Sequence, residues 1–208
     1  EEEVISLDLL TYAGNLESLS SLNNNPRHHF LKGSIGDRGL VSELLKKYQI
    51  RAVVNFAAES HVDNSIDNSD PFIHTNVNGT HNLLKCAAKY GKLNKFIHVS
   101  TDEVFGSLNY KELAFTVDSP YKPNSPYASS KAASDLIVRS FNKTYGLPTI
   151  ITNCSNNFGP RQHKEKMIPK CVSNLKYGTP ITLYGNGSNV RDWIFVKDHV
   201  GALIEILF

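Results

Sequence analysis

Two neighbouring carboxylates, Asp102 and Glu103, follow the apolar run Phe96-Ile97-His98-Val99 and the pair Ser100-Thr101 in the stretch HVSTDEVFG. Each of two adjacent acids raises the proton affinity of the other, so one can stay protonated while the other ionises. That is the requirement for an acid and a base acting in one reaction. It is also what a solvated strand end looks like, so the pair alone decides nothing. A second pattern lies further along, in SPYASSK at 125–131. Ser125 suits a helix N-cap and Pro126 the first helical position. Tyr127 and Lys131 then stand four apart on one helix face. An ammonium beside a phenol favours the phenolate, which makes Tyr127 a candidate base near neutral pH.

The elements that must position these residues read as an α/β chain. Strands are expected at Val4–Leu7, His29–Leu31, Ala52–Phe56, Phe96–Val99 and Thr149–Thr152. Helices are expected at about 38–48, with Leu40, Leu44 and Leu45 on one face, at 71–90, with Val77, Leu84 and Ala88 at helical spacing, and at 125–145. Nearly continuous apolar strands separated by helices imply a parallel sheet covered on both faces, a doubly wound Rossmann-like fold. Such sheets bind ligands beyond the carboxyl ends of their strands. Three polar clusters fall at such ends: Asn55-Phe56-Ala57-Ala58-Glu59-Ser60, Ser100–Glu103 and Asn153–Asn157. After Asn157 the chain becomes richer in Gly and Pro, with strands expected at Ile181–Tyr184 and Asp192–Phe195 and a last helix at about 197–208. The organisation expected is a cofactor-binding domain over 1–157 and part of a substrate-binding region over 158–208.

Composition sets bounds on the function class. The 208 residues are 40% hydrophobic and 20% charged, with a net charge of +2 and no basic block, so no nucleic-acid footprint is evident. No apolar run reaches membrane length. Glu1-Glu2-Glu3 does not resemble a signal peptide. Cys86, Cys154 and Cys171 lack metal-ligand spacing, as does His28-His29, so no metal site is expected and the cysteines read as buried thiols of a reducing cytoplasm.

Tyr-x-x-x-Lys after such a sheet resembles the extended short-chain dehydrogenase/reductases. STDEVFG, SPYASSKAASD, NCSNNFGPRQHKEKMIP and RDWIFVKDH, with DLLTYAGNLESL and NFAAESHVDNSI, together resemble the nucleotide-sugar 4,6-dehydratases, most of all the dTDP-glucose branch. The resemblance spans nearly the whole chain. It implies hydride removal from sugar carbon 4 to NAD, elimination of water across carbons 5 and 6, and return of hydride to carbon 6. Glu103 is then the base for the carbon-5 proton and Asp102 the acid for the departing hydroxyl. Thr101 hydrogen-bonds near the 4-hydroxyl, Tyr127 takes its proton, and Lys131 assists and holds the nicotinamide ribose.

The resemblance also implies NAD contacts from Asp8, Leu10, Thr11, Ser34, Ile35, Phe56, Ala57, Ala58, Ser60, Thr75 and Asn157. Asp8 suits the adenosine ribose and disfavours a 2′-phosphate. Substrate contacts follow for Ser60, Thr101, Asn156, Lys166, Met167, Thr182, Leu183, Tyr184 and Arg191. The fork of Arg191 matches diphosphate oxygens. Met167, Leu183 and Ile35 suit plain core equally well. A homodimer is expected through the helices at 71–90 and 125–145. The chain departs from the pattern in having no Gly-x-Gly-x-x-Gly or Gly-x-x-Gly-x-x-Gly loop ahead of Asp8. That loop and its flanking strand and helix need about 30 residues before Glu1, and a substrate lobe is expected past Phe208, as for a trimmed form of a longer enzyme. Weak NAD binding is the corresponding expectation. Alternatives are a UDP-N-acetylglucosamine or other UDP-sugar 4,6-dehydratase, and a non-catalytic remnant of the fold. A simple alcohol dehydrogenase has no use for Asp102 and Glu103.

Overall fold

The computed structural model describes residues 2–208. The chain forms two compact units that divide between Asn153 and Cys154.

In the first unit the strands are β1 (Val4–Asp8), β2 (His28–Lys32), β3 (Ala52–Asn55), β4 (Lys95–Thr101) and β5 (Thr149–Cys154). β1 pairs with β2 in parallel, and β3 pairs with β4 in parallel with Asn55 opposite His98. β5 completes the order β3-β4-β5. The parallel pairing matches the sequence expectation, but it is divided between two sheets. Among the described residues β1 and β3 each bond to a neighbour on one side only. A common core nevertheless joins the sheets. It takes Ile35, α1 (Arg38–Lys47) through Val41 and Leu45, α4 (Thr80–Tyr90) through Leu83, Leu84 and Ala87, Phe96 of β4, and α5 (Pro126–Tyr145) through Val138 and Phe141, with Leu7 of β1 packed against them. Full burial of one such leucine contributes about 1.5–3 kcal/mol.

The helix boundaries follow local chemistry. Asp37 caps α1 by accepting from the backbone of Leu40, at 3.0 Å. Ser125 caps α5 by accepting from Ala128 at 3.1 Å, Pro126 occupies its first turn, and Gly146 ends it in the left-handed conformation. Residues 70–90 are not one regular helix. α2 (Val62–Asp67) precedes them, α3 is Asp70–Phe72, Ile73–Gly79 is a π-helical stretch, and α4 follows. β4 ends in a short 3-10 turn, Asp102–Phe105, capped by the Thr101 side chain.

In the second unit β6 (Asn156–Phe158) pairs in parallel with β7 (Trp193–Phe195), and the rings of Phe158 and Phe195 lie 5.5 Å apart. α6 is Met167–Lys176 and α7 is Val196–Leu207. The strand expected at Ile181–Tyr184 does not form. These residues lie in an exposed loop, where no neighbouring strand supplies ladder partners, and Gly185 and Gly187 turn the chain at positive φ. Among the described residues no helix is long and apolar enough to cross a membrane.

Candidate active site

The site of the first unit is built at the carboxyl end of β4. The strand is buried through Phe96, Ile97 and His98, and it closes with Ser100 and Thr101, both also buried. Thr101 Oγ1 accepts from Glu103 N at 3.2 Å and donates to Asp102 Oδ1 at 3.2 Å. One hydroxyl thus fixes the turn that presents both acids, which are half-buried. Asn153 Nδ2 donates to Thr101 O at 3.1 Å and holds the strand end from the β5 side.

α5 packs against β4 and against the acidic turn. It carries Tyr127 and Lys131, both buried and one turn apart. The N–H of Tyr127, in the first turn of the helix, donates to Ser65 Oγ of α2 at 3.1 Å. Phe72 meets the Tyr127 ring edge-on, with centroids 6.3 Å apart. Lys131 Nζ donates to Val99 O at 2.9 Å and lies 3.5 Å from His98 Nε2. Asn76, in the π stretch, ties a third element to these two. Its Oδ1 accepts from Glu59 N at 2.8 Å, and its Nδ2 donates to Glu59 O at 3.0 Å and to Ser130 Oγ at 2.8 Å. The loop after β3, carrying Phe56, Ala57, Ala58 and Ser60, is thereby fastened to the helix that carries Tyr127 and Lys131.

Behind the strand end lies a buried polar group that the sequence reading did not single out. His98, Ser134 and Asp135 are fully buried. Asp135 Oδ2 accepts from Ser100 Oγ at 2.7 Å and from Tyr121 O–H at 3.0 Å. Burial, assisted by the Asp135 carboxylate, pushes the Tyr121 phenol up to about 12. Burial lowers the His98 pKa below its ordinary value, and Asp135 opposes this without reversing it. The signal was present as an acid four residues after Lys131 and a histidine inside an apolar strand, but neither is unusual in isolation.

The other expected positions of this unit are placed as follows. Asp8 ends β1, and its Oδ1 accepts from Leu10 N at 2.7 Å, with Leu10 at φ 54° and Thr11 exposed beyond it. Ser34 Oγ accepts from Gly36 N in the loop after β2. The Ile35 side chain belongs to the core. Phe56 and Ser60 are exposed, Ala57 and Ala58 are half-buried, and Thr75 is half-buried on the π stretch.

In the second unit Asn157 is held on three sides. His199 Nδ1 donates to its Oδ1 at 2.8 Å, its Nδ2 donates to Ser155 O at 3.1 Å, and its backbone oxygen accepts from Gln162 at 2.8 Å. Burial lowers the His199 pKa, in keeping with a neutral donor ring. Asn156 and Lys166 are half-buried, while Met167, Thr182, Leu183, Tyr184 and Arg191 are exposed, and Arg191 Nη1 donates to Val190 O. Among the described residues no group of three or more His, Cys, Asp or Glu side chains gathers as for a metal.

Comparison with known proteins adds independent findings. The family model described as GDP-mannose 4,6 dehydratase matches residues 2–208. A dTDP-glucose 4,6-dehydratase of Xanthomonas campestris pv. campestris is 52% identical over 212 residues, covering 98% of this chain and 60% of that protein. A crystal structure of the dTDP-glucose 4,6-dehydratase DesIV from Streptomyces venezuelae, with NAD bound, superposes with a TM-score of 0.95 at 49% identity, over 99% of this chain and 62% of that one. A UDP-glucuronic acid 4-epimerase from Bacillus cereus, also with NAD, superposes at 0.91 with 26% identity, over 99% and 65%. The chain spans less than two thirds of the length of these relatives.

Proposed function

The chain belongs to the GDP-mannose 4,6 dehydratase family, and from that premise we propose that it carries the catalytic core of an NAD-dependent nucleotide-sugar 4,6-dehydratase, acting on a dTDP-hexose such as dTDP-glucose. The observation that carries the reading is the capped turn at the end of β4. It sets two half-buried carboxylates against the helix bearing Tyr127 and Lys131. Hydride transfer alone has no use for two acids there, whereas elimination needs one to take a proton and one to give it. The 52% identity to a dehydratase, against 26% to an epimerase, supports the same choice.

The residues present suit NAD at both of its riboses. An exposed acid ends β1, where a diol is bound in doubly wound sheets, and a Tyr–Lys pair stands on α5, the helix to which Asn76 fastens the loop carrying Ala57 and Ala58. NAD bound there would supply the two-electron oxidation at sugar carbon 4 and the matching reduction at carbon 6. Tyr127 accepts the 4-hydroxyl proton as a phenolate, the form that the Lys131 ammonium favours, and Lys131 also steadies the neighbouring ribose. The carbon-4 ketone acidifies the carbon-5 proton, which Glu103 removes. Asp102 protonates the 6-hydroxyl as it leaves. Thr101, whose hydroxyl caps the turn, keeps the two acids at fixed height. Arg191 and Lys166 supply charge for the substrate diphosphate, and Tyr184 offers a face for its base.

We further propose a homodimer, formed through the helical segments at 71–90 and 125–145, which expose Ile73 and Leu136, and a cytoplasmic setting, consistent with three free cysteines. Light scattering that found a monomer at high concentration would count against the dimer.

The test of the reaction uses the intact enzyme in deuterated water. Asp102→Asn and Glu103→Gln should each abolish formation of the 4-keto-6-deoxy product. Exchange of the carbon-5 proton into solvent should survive in Asp102→Asn and vanish in Glu103→Gln. Normal product formation in both variants would reduce the pair to a solvated strand end.

A further inference from the structure

The orientation of one amide settles the protonation of a buried histidine, and with it the role of a carboxylate outside the reacting pair. Asn55 Oδ1 accepts from Ala57 N at 3.2 Å, so the amide nitrogen must face the other way. There Nδ2 donates to Thr80 Oγ1 at 3.3 Å and to His98 Nδ1 at 3.2 Å. His98 Nδ1 is therefore an acceptor, and the ring hydrogen sits on Nε2. That N–H points at Ser134 Oγ, 3.2 Å away, and at Asp135 Oδ1, 3.4 Å away. Ser134 gives its own hydrogen to Lys131 O at 2.8 Å, so its oxygen is free to accept. Asp135 Oδ1 is fully buried and makes no regular hydrogen bond of its own, while Oδ2 holds Ser100 and Tyr121.

Lys131 Nζ lies 3.5 Å from the same His98 nitrogen. Because Nε2 carries a hydrogen, the ammonium cannot donate to it, and the contact by itself is repulsive. A buried carboxylate 3.4 Å from that same nitrogen turns the balance, since the Asp135 charge and the Lys131 ammonium both lie close to one N–H of a ring that is held neutral. We propose that Asp135, acting through the Nε2–H tautomer of His98, is a positioning residue for Lys131. The column Ala57 N–H, Asn55, His98 and Asp135 links the loop after β3 to the lysine, so that the cofactor side and the lysine keep one height. The proposal rests on the reading of Lys131 as the partner of Tyr127.

Asp135→Asn is the informative variant. The amide has the shape of the carboxylate and can turn its nitrogen to the rotatable hydroxyls of Ser100 and Tyr121, leaving its oxygen toward His98. Only the charge is lost. In the intact enzyme kcat should fall roughly tenfold or more. KM for the nucleotide sugar should stay within about twofold, because the residue touches no substrate. Tyr121→Phe removes a hydrogen bond to Asp135 but no charge, and should keep kcat within about threefold. The second measurement needs no variant. Nitrogen NMR of histidine-labelled wild-type enzyme should show His98 with Nε2 protonated and Nδ1 bare. A bare Nε2 overturns the proposal, as does an Asp135→Asn enzyme with undiminished kcat, or equal losses in Asp135→Asn and Tyr121→Phe. A wild-type protein without dehydratase turnover would refute the function proposed above, and the tautomer, read without activity, would then decide the column.

Discussion

Gly106 closes the turn that presents Asp102 and Glu103, and replacing it with alanine tests how tightly that turn is fixed. Its backbone sits at φ 92° and ψ −138°, a region open essentially to glycine. A Cβ there would lie 2.4 Å from the carbonyl oxygen of Lys122 and 3.3 Å from its carbon. Lys122 cannot simply withdraw, because its N–H donates to Val104 O at 2.9 Å, inside the same turn. Backbone strain of about 1–3 kcal/mol and an overpacking cost of similar size point to a total of roughly 3 kcal/mol. Gly146, at the end of α5, is the matched control. It also has positive φ, 68°, but an added Cβ meets nothing within 4 Å. Only the left-handed penalty applies there, about 1 kcal/mol. At 2–4 °C per kcal/mol for a chain of this size, Gly146→Ala should lower Tm by about 2–4 °C and Gly106→Ala by roughly 6–12 °C. Turnover separates the two further. A shift near 1 Å in the turn costs on the order of 100-fold at temperatures where both variants are folded, and Gly146→Ala moves no reacting group. Calorimetry and product assays on the two variants of the intact enzyme suffice. Equal losses of Tm, or wild-type turnover in Gly106→Ala, would show that the close approach to Lys122 does not hold the carboxylates.

Tyr127→Phe should lower dehydration by about 10²–10⁴-fold, with Tm little changed; wild-type rates of keto-sugar formation would remove Tyr127 from its role. His98 stays neutral in the folded protein below its ordinary value of 6.5. As pH falls through 6.5 the unfolded chain gains a proton that the folded one refuses, so stability declines on acidification and returns above that pH. Urea titrations between about pH 5 and about pH 7.5 should lose part of this slope in His98→Gln. At the other extreme, Tyr121 moves from 10.0 to about 12 on folding. The unfolded chain ionises first as pH climbs through 10, stability falls between 10 and 12, and Tyr121→Phe should abolish that component; an unaltered alkaline limb would contradict it.

What could be read from the residues depended on whether the governing interaction was local. α5 was legible end to end, because Ser125, Pro126 and Gly146 each act on their own neighbours. The acidic turn was legible for the same reason, since Thr101 caps it across one residue. The strand expected at Ile181–Tyr184 failed because a strand exists only with a partner, and apolar alternation cannot supply one. α6 was missed because Pro169 sits in its first turn, where proline is tolerated but reads as a break. The roles of Ser65, Asn76 and Asp135 were not legible, because each acts on a group far away in sequence: Tyr127, the Glu59 backbone and His98. Resemblance named candidate reacting residues but not the groups that surround them.

The π-helical stretch Ile73–Gly79 has a consequence that concerns counting. Each turn there takes in more residues than an α-turn, so the segment behaves as though an extra residue had been spliced into a regular helix. Deleting one residue within it would restore ordinary i to i−4 bonding and relieve the helix locally. The wider turn absorbs the extra residue, so its removal would leave the flanking segments close to their present relative rotation. Phe72 on one side and Leu83 and Leu84 on the other would keep the faces they occupy, while Asn76, inside the stretch, would lose its alignment with Glu59 and Ser130. The extra residue thus serves one side chain rather than the helix as a whole. A deletion there would cost the tie between the loop after β3 and α5 more than it would cost the helix.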